Sequence, residues 1–276
     1  MRAGQEATPL PAGALRLHDL GFFDTQVMAE DRQRGVHWIS RVPAGICMQQ
    51  VEAASANAAP QDITSWLLRQ TADEVDVQVA IGKETPLPCR LIAVRCPEEV
   101  RERRLRKLEQ KACKDGRRPV SERQRIMSGW LVLITDLPAT QLTIEEAWVL
   151  YRARWQIELL FKLWKSHGGV HECRGKKPNR VLCEIFAKLL AMLAKHWLML
   201  LAGPWLDGKG ALAKARRVRR RLGQLLAALP DATAVEKVLK KICTSFARLK
   251  HRARRKKRPL TIELLNEPAA AKLRLN

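Results

Sequence analysis

Apolar positions along this chain first recur at a spacing of two and then, from about residue 143, at helical spacing. The run ALRLHDLGFF (14–23) is short, apolar and strand-like, ending at Gly21. TQVMAEDRQRG (25–35) reads as a helix closed by Gly35. VHWISRV (36–42) is β-branched and alternating, which predicts a strand. To about residue 130 the pattern is mostly strand: VDVQVAI (75–81) alternates as a half-buried strand does, with RLIAVRC (90–96) its expected neighbour. PEEVRERRLRKLEQKACKDGRR (97–118) interrupts with a short helix and a basic tail, a solvated excursion. GWLVLITDL (129–137) is again a strongly apolar strand.

Thr143 and Glu146 in TIEE then form a capping-box pattern, which starts a helix predicted from Ile144 to about Ser166 and stopped by the glycines of HGG. A second long helix is expected from about Asn179 to Leu201, opening near Pro178. The remainder, 204–276, reads as helical and very basic, with KARRVRRRL (214–222) and RLKHRARRKKRP (248–259). The expected class is mixed α/β, and no internal repeat is visible.

Charge sharpens the picture. Fifty Lys and Arg against 28 Asp and Glu leave a net +22, a field that attracts polyanions and makes nucleic acid the leading partner class. The seven cysteines show no CxxC pair, so they read as reduced intracellular thiols rather than a disulfide framework or zinc site. His171 and Cys173 lack a second ligand pair. No signal-peptide pattern opens the chain. The most apolar run, IFAKLLAMLAKHWLMLLAG (185–203), is interrupted by Lys188, Lys195 and His196. It reads as a buried or partner-facing helix rather than a membrane span, and a cytoplasmic location is expected.

The stretch YRARWQIELLFKLWKSHGG (151–169) holds the chain's one tyrosine. At about 100° per residue, Tyr151, Arg154, Glu158, Lys162 and Lys165 fall within roughly 80° of arc. The rest of the circumference is mostly apolar. Ordinary i,i+4 ion pairs would account for Arg154–Glu158 and Glu158–Lys162. A carboxylate flanked by cations also suits phosphodiester chemistry, with Glu158 on a divalent metal and Arg154, Lys162 and Lys165 on the flanking phosphates. Geometry leaves both open.

The spacing Tyr151, two residues, Arg154, three residues, Glu158, six residues, Lys165 resembles the Y-(2)-R-(3)-E-(6)-K signature of bacterial insertion-sequence transposases of the IS-four group. The resemblance covers about residues 14 to 203. It implies a DDE catalytic core on a ribonuclease H-like fold, with a second acidic residue on an upstream strand; HDLGFF places Asp19 there. It further implies a mainly β insertion between that Asp and the Glu. The expected segments are a disordered 1–13, a first core segment at 14–35 with the Asp19 strand, and the β-rich insertion at 36–129. The core then resumes at 130–203 with the Glu158 helix, and a basic helical region follows at 204–276. By the same resemblance Arg41 is a DNA contact and Trp130 stacks on a flipped base. Trp38 and Trp66 are also available for that role, and each could simply be a core aromatic.

The implied chemistry is two-metal phosphoryl transfer for cut-and-paste transposition of double-stranded DNA, with two Mg²⁺ or Mn²⁺ ions in the intact enzyme. Asp19 and Glu158 would be metal ligands, in a homodimer on DNA, nucleoid-associated and away from membranes. A further bridging Asp is expected before Asp19, yet only Glu6 is acidic there. Asp24 is too close, and Asp62, Asp73 or Asp76 would need another topology. The expectation is a truncated transposase, inactive alone. The competing readings are a non-catalytic DNA-binding fragment regulating an intact transposase, and an unrelated RNA-binding protein.

Overall fold

The computed structural model describes residues 10–51, 59–82, 85–114, 116, 119–200, 211–249 and 265–266. It divides into two compact units, Met1–Ala153 with Leu264–Asn276, and Arg154–Glu263.

The first unit carries β1 (Leu15–His18), α1 (Thr25–Gln33), β2 (His37–Arg41), β3 (Cys47–Gln50), β4 (Gln61–Asp62) and α2 (Ile63–Leu68). It continues with β5 (Glu74–Ile81), β6 (Leu87–Arg95), α3 (Glu98–Lys114), α4 (Glu122–Ser128), β7 (Trp130–Thr135) and α5 (Ile144–Ala153). The seven strands form one sheet in the order β1-β2-β7-β6-β5-β3-β4. β1 and β2 are parallel neighbours joined through α1, whereas the other pairs are antiparallel. The class is therefore mixed α/β, and strands from both sides of the 36–129 segment share the sheet.

Period-two alternation decides which side chains meet which layer. Trp130, Val132 and Ile134 of β7 pack with Trp38, Leu91, Met28 of α1, Ile63 and Trp66 of α2, and Met127 of α4. Leu133 faces the opposite side, with Ile39, Ile92 and α5 residues Ala147, Trp148 and Tyr151. Helices thus cover both faces of the sheet, which explains the unbroken apolar run in β7.

Several local readings hold at atomic detail. The capping box forms: the Thr143 N–H donates to Glu146 Oε2 at 2.8 Å, and the Glu146 N–H to Thr143 Oγ1 at 3.2 Å. Gly35 sits at φ 70° behind α1, the left-handed conformation that suits glycine. All seven cysteines are free, and burial pushes the Cys89 thiol up to about 12.

Other readings change. The 14–23 run leaves strand geometry at His18, because the Asp19 carboxylate accepts the Leu20 N–H at 2.8 Å and caps a 3₁₀ turn over Leu20–Phe22. The 97–118 helix is longer than expected; 17-residue α3 carries Glu98 and Glu99 in its first turn and Lys111 and Lys114 in its last, charges that suit the helix dipole. The mostly strand segment also contains α2 and α4. α2 has six residues, too few to show a helical period, and is started by Asp62 accepting the Thr64 N–H at 2.9 Å.

The second unit holds α6 (Trp155–Gly168), α7 (Pro178–Leu200), α8 (Ala211–Ala228) and α9 (Ala232–Ala247). The helix expected over 144–166 is thus two helices meeting at Arg154. That residue keeps helical angles (φ −49°, ψ −32°). The Ile157 N–H bonds the Arg154 carbonyl at 3.1 Å, a tightened i→i+3 turn. α6 ends at Gly168, with Gly169 left-handed at φ 55°, where HGG predicted a stop. Pro178 opens α7 at its first position. Met199, Ala215, Val218, Ile242 and Phe246 make a small core between α7, α8 and α9. Residues 1–9, the last residues of the 185–203 run and the RLKHRARRKKRP cluster from residue 250 onward lie outside the described residues.

Much of the apolar circumference of α6 is open to solvent. Trp155, Ile157, Leu159 and Phe161 are all exposed. A helix apolar nearly all round needs neighbours on most sides. Within its unit, the Gly168 end of α6 meets Met192 of α7, and Trp164 meets His196 edge-on at 6.2 Å.

Candidate functional site

Asp19 follows the last residue of β1, and Arg41 is the last residue of β2. Because His18 is level with Ser40 in the parallel register, Asp19 and Arg41 emerge side by side at the carboxyl end of the parallel pair. In open α/β sheets that is where ligands bind, since the loops leaving the strands diverge there. β7 runs antiparallel, so its first residue, Trp130, lies at the same end.

Arginines gather at this end beside the Asp19 carboxylate, with Arg95 paired to Asp73 at 3.1 Å. Arg41 is exposed. Arg104 of α3 donates to the Trp130 carbonyl at 3.1 Å, the Ser128 carbonyl at 3.3 Å and Cys96 Sγ at 3.1 Å. Burial lowers the Arg104 pKa from its ordinary value, and the nearby Arg41 and Arg103 push the same way against the Cys96 contribution. The Arg95 guanidinium lies 4.3 Å over the Trp130 ring. Trp130 itself is 6% exposed, so one face of its ring is occupied by Arg95 and the rest packs in the core. Trp38 and Trp66 are buried as well.

Beneath Asp19, β1 is held by a buried polar cluster. Asp31 of α1 pairs with Arg16 Nε at 3.0 Å and lies 3.9 Å from His18 Nε2. Burial, then the Arg16 charge, lowers the His18 pKa, while the Phe22 backbone, Asp31 and Asp24 oppose it. Neither this cluster nor Arg95 and Arg104 was evident in the sequence. The one available signal was the polar half of LRLH, which in a strand points Arg16 and His18 to the same face.

The second set of residues lies on α6. Arg154, Glu158, Lys162 and Lys165 follow one another at intervals of four, four and three, so they share a face within about 80°. Arg154 Nη2 donates to Glu158 Oε1 at 3.0 Å, with the two side chains 19% and 34% exposed. Lys162 lies over the Trp155 ring, Nζ 4.4 Å from its centroid. Of the two ion pairs foreseen, the Arg154–Glu158 pair forms, and Lys162 is drawn to the aromatic ring. Lys165 is exposed. Tyr151 belongs to the first unit, where it is buried in the core cluster on the α5 side of the sheet that also holds Trp148 and Leu137.

For a metal, the donor set is incomplete. Asp19 and Glu158 fall in separate units, the first engaged as a cap and the second with an arginine. Among the described residues no three His, Cys, Asp or Glu gather as a metal-holding group. Two carboxylates supply fewer donors than a pair of ions asks for.

Comparison with known proteins agrees with the resemblance in the sequence. Residues 6–194 match the model of a transposase DDE domain. The chain is 27% identical over 201 residues to the transposase for insertion sequence element IS231F of Bacillus thuringiensis subsp. israelensis, covering 66% of this chain and 41% of that protein. It is 23% identical over 198 residues to the transposase for IS1151 of Clostridium perfringens, covering 65% and 40%. Over 106 residues it is 38% identical to the putative transposase InsL for IS186A of Escherichia coli strain K12, covering 38% and 28%. The aligned stretch thus spans about two fifths of the length of the first relatives.

Proposed function

The chain belongs to the transposase DDE domain family, and on that premise we propose that it acts on the double-stranded DNA of an insertion sequence, in cut-and-paste cleavage and strand transfer. The observation that carries this reading is the α6 face, where Glu158 stands among Arg154, Lys162 and Lys165 inside the family-matched segment. The cations bind phosphates: Arg154 offers a planar fork and the lysines offer point charges. Arg41 adds a backbone contact at the carboxyl end of β1 and β2, and Tyr151 completes the signature from the last turn of α5. Trp130 is the candidate for stacking on an unpaired base, which requires Arg95 to swing off its ring.

The family uses divalent metal ions, which stabilise the attacking and leaving oxygens of phosphoryl transfer. Asp19 and Glu158 would be two of the ligands, and no third donor gathers beside either of them among the described residues. Asp19 Oδ1 already accepts the Leu20 N–H and Glu158 Oε1 the Arg154 guanidinium, which leaves the second oxygen of each carboxylate as the donor an ion would use. Acting on DNA places the chain in the cytoplasm at the nucleoid. No described helix is long and apolar enough to cross a membrane.

The second reading, a non-catalytic DNA-binding regulator of an intact transposase, is favoured by the donor set, in which Glu158 is paired with Arg154 and no third donor gathers beside it among the described residues. One experiment separates the two. The purified chain is incubated with Mg²⁺ or Mn²⁺ and DNA bearing the element's ends, and both binding and strand cleavage are followed. Metal-dependent cleavage abolished by Glu158→Gln is expected of the enzyme. Binding without cleavage supports the regulator. Joint alanine substitution of Arg154, Lys162 and Lys165 should lower the slope of log affinity against log salt by about 2 to 3; an unchanged slope counts against the α6 face as a phosphate site.

Pairing with a second copy is assigned to α7. Phe186, Leu190, Leu193, Trp197 and Leu200 are exposed at intervals of 4, 3, 4 and 3, the spacing of a coiled-coil seam, with exposed Leu182 one turn before them. All six are between 48% and 67% exposed. A patch that large on a monomer invites association. Leu190→Glu with Trp197→Glu should convert a dimer to a monomer in light scattering coupled to gel filtration. A wild-type chain that elutes as a monomer, with and without DNA, would remove this assignment.

A further inference from the structure

The α8–α9 hairpin lies beyond the residues matched by the family model, which end at 194, so its role must be read from its own chemistry. α8 begins ALAKARRVRRRL and contains no acidic residue. Ala215 and Val218 are buried against Ile242, Phe246 and Met199, which fixes the orientation of the helix. Arg216 and Arg220 then project from the opposite side and Arg219 from the flank between Ala215 and Arg216, and all three are exposed. On α9 the one acid within the helix, Glu236, is held by Lys240 at 2.7 Å, and Asp231 is occupied as the α9 cap. With both acids of the hairpin engaged, none of the three arginines has an ion-pair partner among the described residues.

The neighbouring helix extends the positive face. Lys195 of α7 is half-buried, one turn before Met199, which packs on α8. Burial lowers its pKa from the ordinary lysine value, and the Arg219 charge lowers it further. Two like charges held at close quarters are relieved by an anion between them.

We propose that Arg216, Arg219 and Arg220 of α8, continued by Lys195 of α7, form a second surface for the phosphate backbone of double-stranded DNA, apart from the α6 face. Guanidinium groups one helical turn apart, about 6 Å along the axis, can engage successive phosphates of one strand. Arginine brings a bidentate fork that matches phosphate oxygens and is weakly hydrated, so it gives up water readily. A membrane surface fits less well, because the apolar side of α8 in this half of the helix is already buried against α9. The contacts carry no base information, so the surface adds affinity for any sequence. This proposal stands without the catalytic reading; it needs only that the chain meets DNA.

The test uses the full chain and a random-sequence fluorescent duplex, with anisotropy titrations over a range of NaCl concentrations. Joint Arg216→Ala, Arg219→Ala and Arg220→Ala substitution should reduce the salt slope by about 2.7 and weaken binding at least ~10-fold at low salt. Circular dichroism should show unchanged helix content, since the three side chains face solvent. The corresponding triple lysine variant keeps the charge and should return the slope to the wild-type value. An alanine triple with the wild-type slope overturns the proposal, as does a lysine triple that fails to restore it. Stronger competition by an RNA duplex or by anionic phospholipid vesicles than by unlabelled DNA overturns the assignment to DNA. Because the α6 residues are intact throughout, failure here leaves the α6 reading untouched.

Discussion

Asp76→Ala should lower the free energy of unfolding by about 3–5 kcal/mol, the cost of breaking a buried ion pair from one side. Arg90 of β6 is 2% exposed, and its Nε and Nη2 donate to Asp76 Oδ1 and Oδ2 at 2.7 and 2.6 Å. Its Nη1 donates to the Leu142 carbonyl at 2.5 Å. Removing the carboxylate leaves a guanidinium on the α5 side of the sheet with a single neutral acceptor. Asp76→Asn keeps one acceptor oxygen and should recover part of the loss. Adding Arg90→Met to Asp76→Ala should recover more, because it removes the stranded charge and fills the space with apolar atoms. Urea unfolding followed by tryptophan fluorescence reads all three. A loss under about 1 kcal/mol for Asp76→Ala would mean that water reaches the pair and screens it. The pair matters beyond stability: Leu142 immediately precedes the Thr143 cap, so Arg90 anchors the chain where α5 begins.

Trp130→Ala should cost a similar amount, about 3–5 kcal/mol, as a large aromatic is removed from a packed layer. Trp130 belongs to the core layer that holds Trp38, Val132 and Ile134, and its ring carries Arg95. Trp130→Phe keeps much of the volume and a π face, so it should cost well under half as much. DNA binding separates packing from stacking. If Trp130 only packs, the phenylalanine variant binds duplex and hairpin-ended DNA as the wild type does. If Trp130 receives a base, the same variant binds hairpin-ended DNA more weakly while its melting temperature stays near wild type.

Patterns that depend on neighbours in sequence were legible. The TIEE capping box, the HGG stop and the Pro178 start each involve groups a few residues apart, so the chemistry that sets them is contained in the string. The alternation of β5 and the apolar run of β7 carried their strands for the same reason. α2 and α4 were not legible, because six and seven residues hold less than two helical turns. The same limit hid the Arg16–Asp31–His18 cluster, whose acid lies 15 and 13 residues from its two basic partners and meets them only once α1 folds back beside β1.

For the candidate site, the sequence by itself determined the membership of the α6 face. Residues separated by four, four and three must share a side of any α-helix, and the 6–194 family match needs nothing more than the sequence. Tertiary structure decided what surrounds those residues. It set Asp19 beside Arg41 through the parallel register of β1 and β2, paired Glu158 with Arg154, and drew Lys162 onto Trp155. It buried Trp130 under Arg95 and left the apolar sides of α6 and α7 exposed. Periodicity fixes which side chains point together; burial and pairing depend on what other segments bring to that face, and a linear pattern does not contain that information.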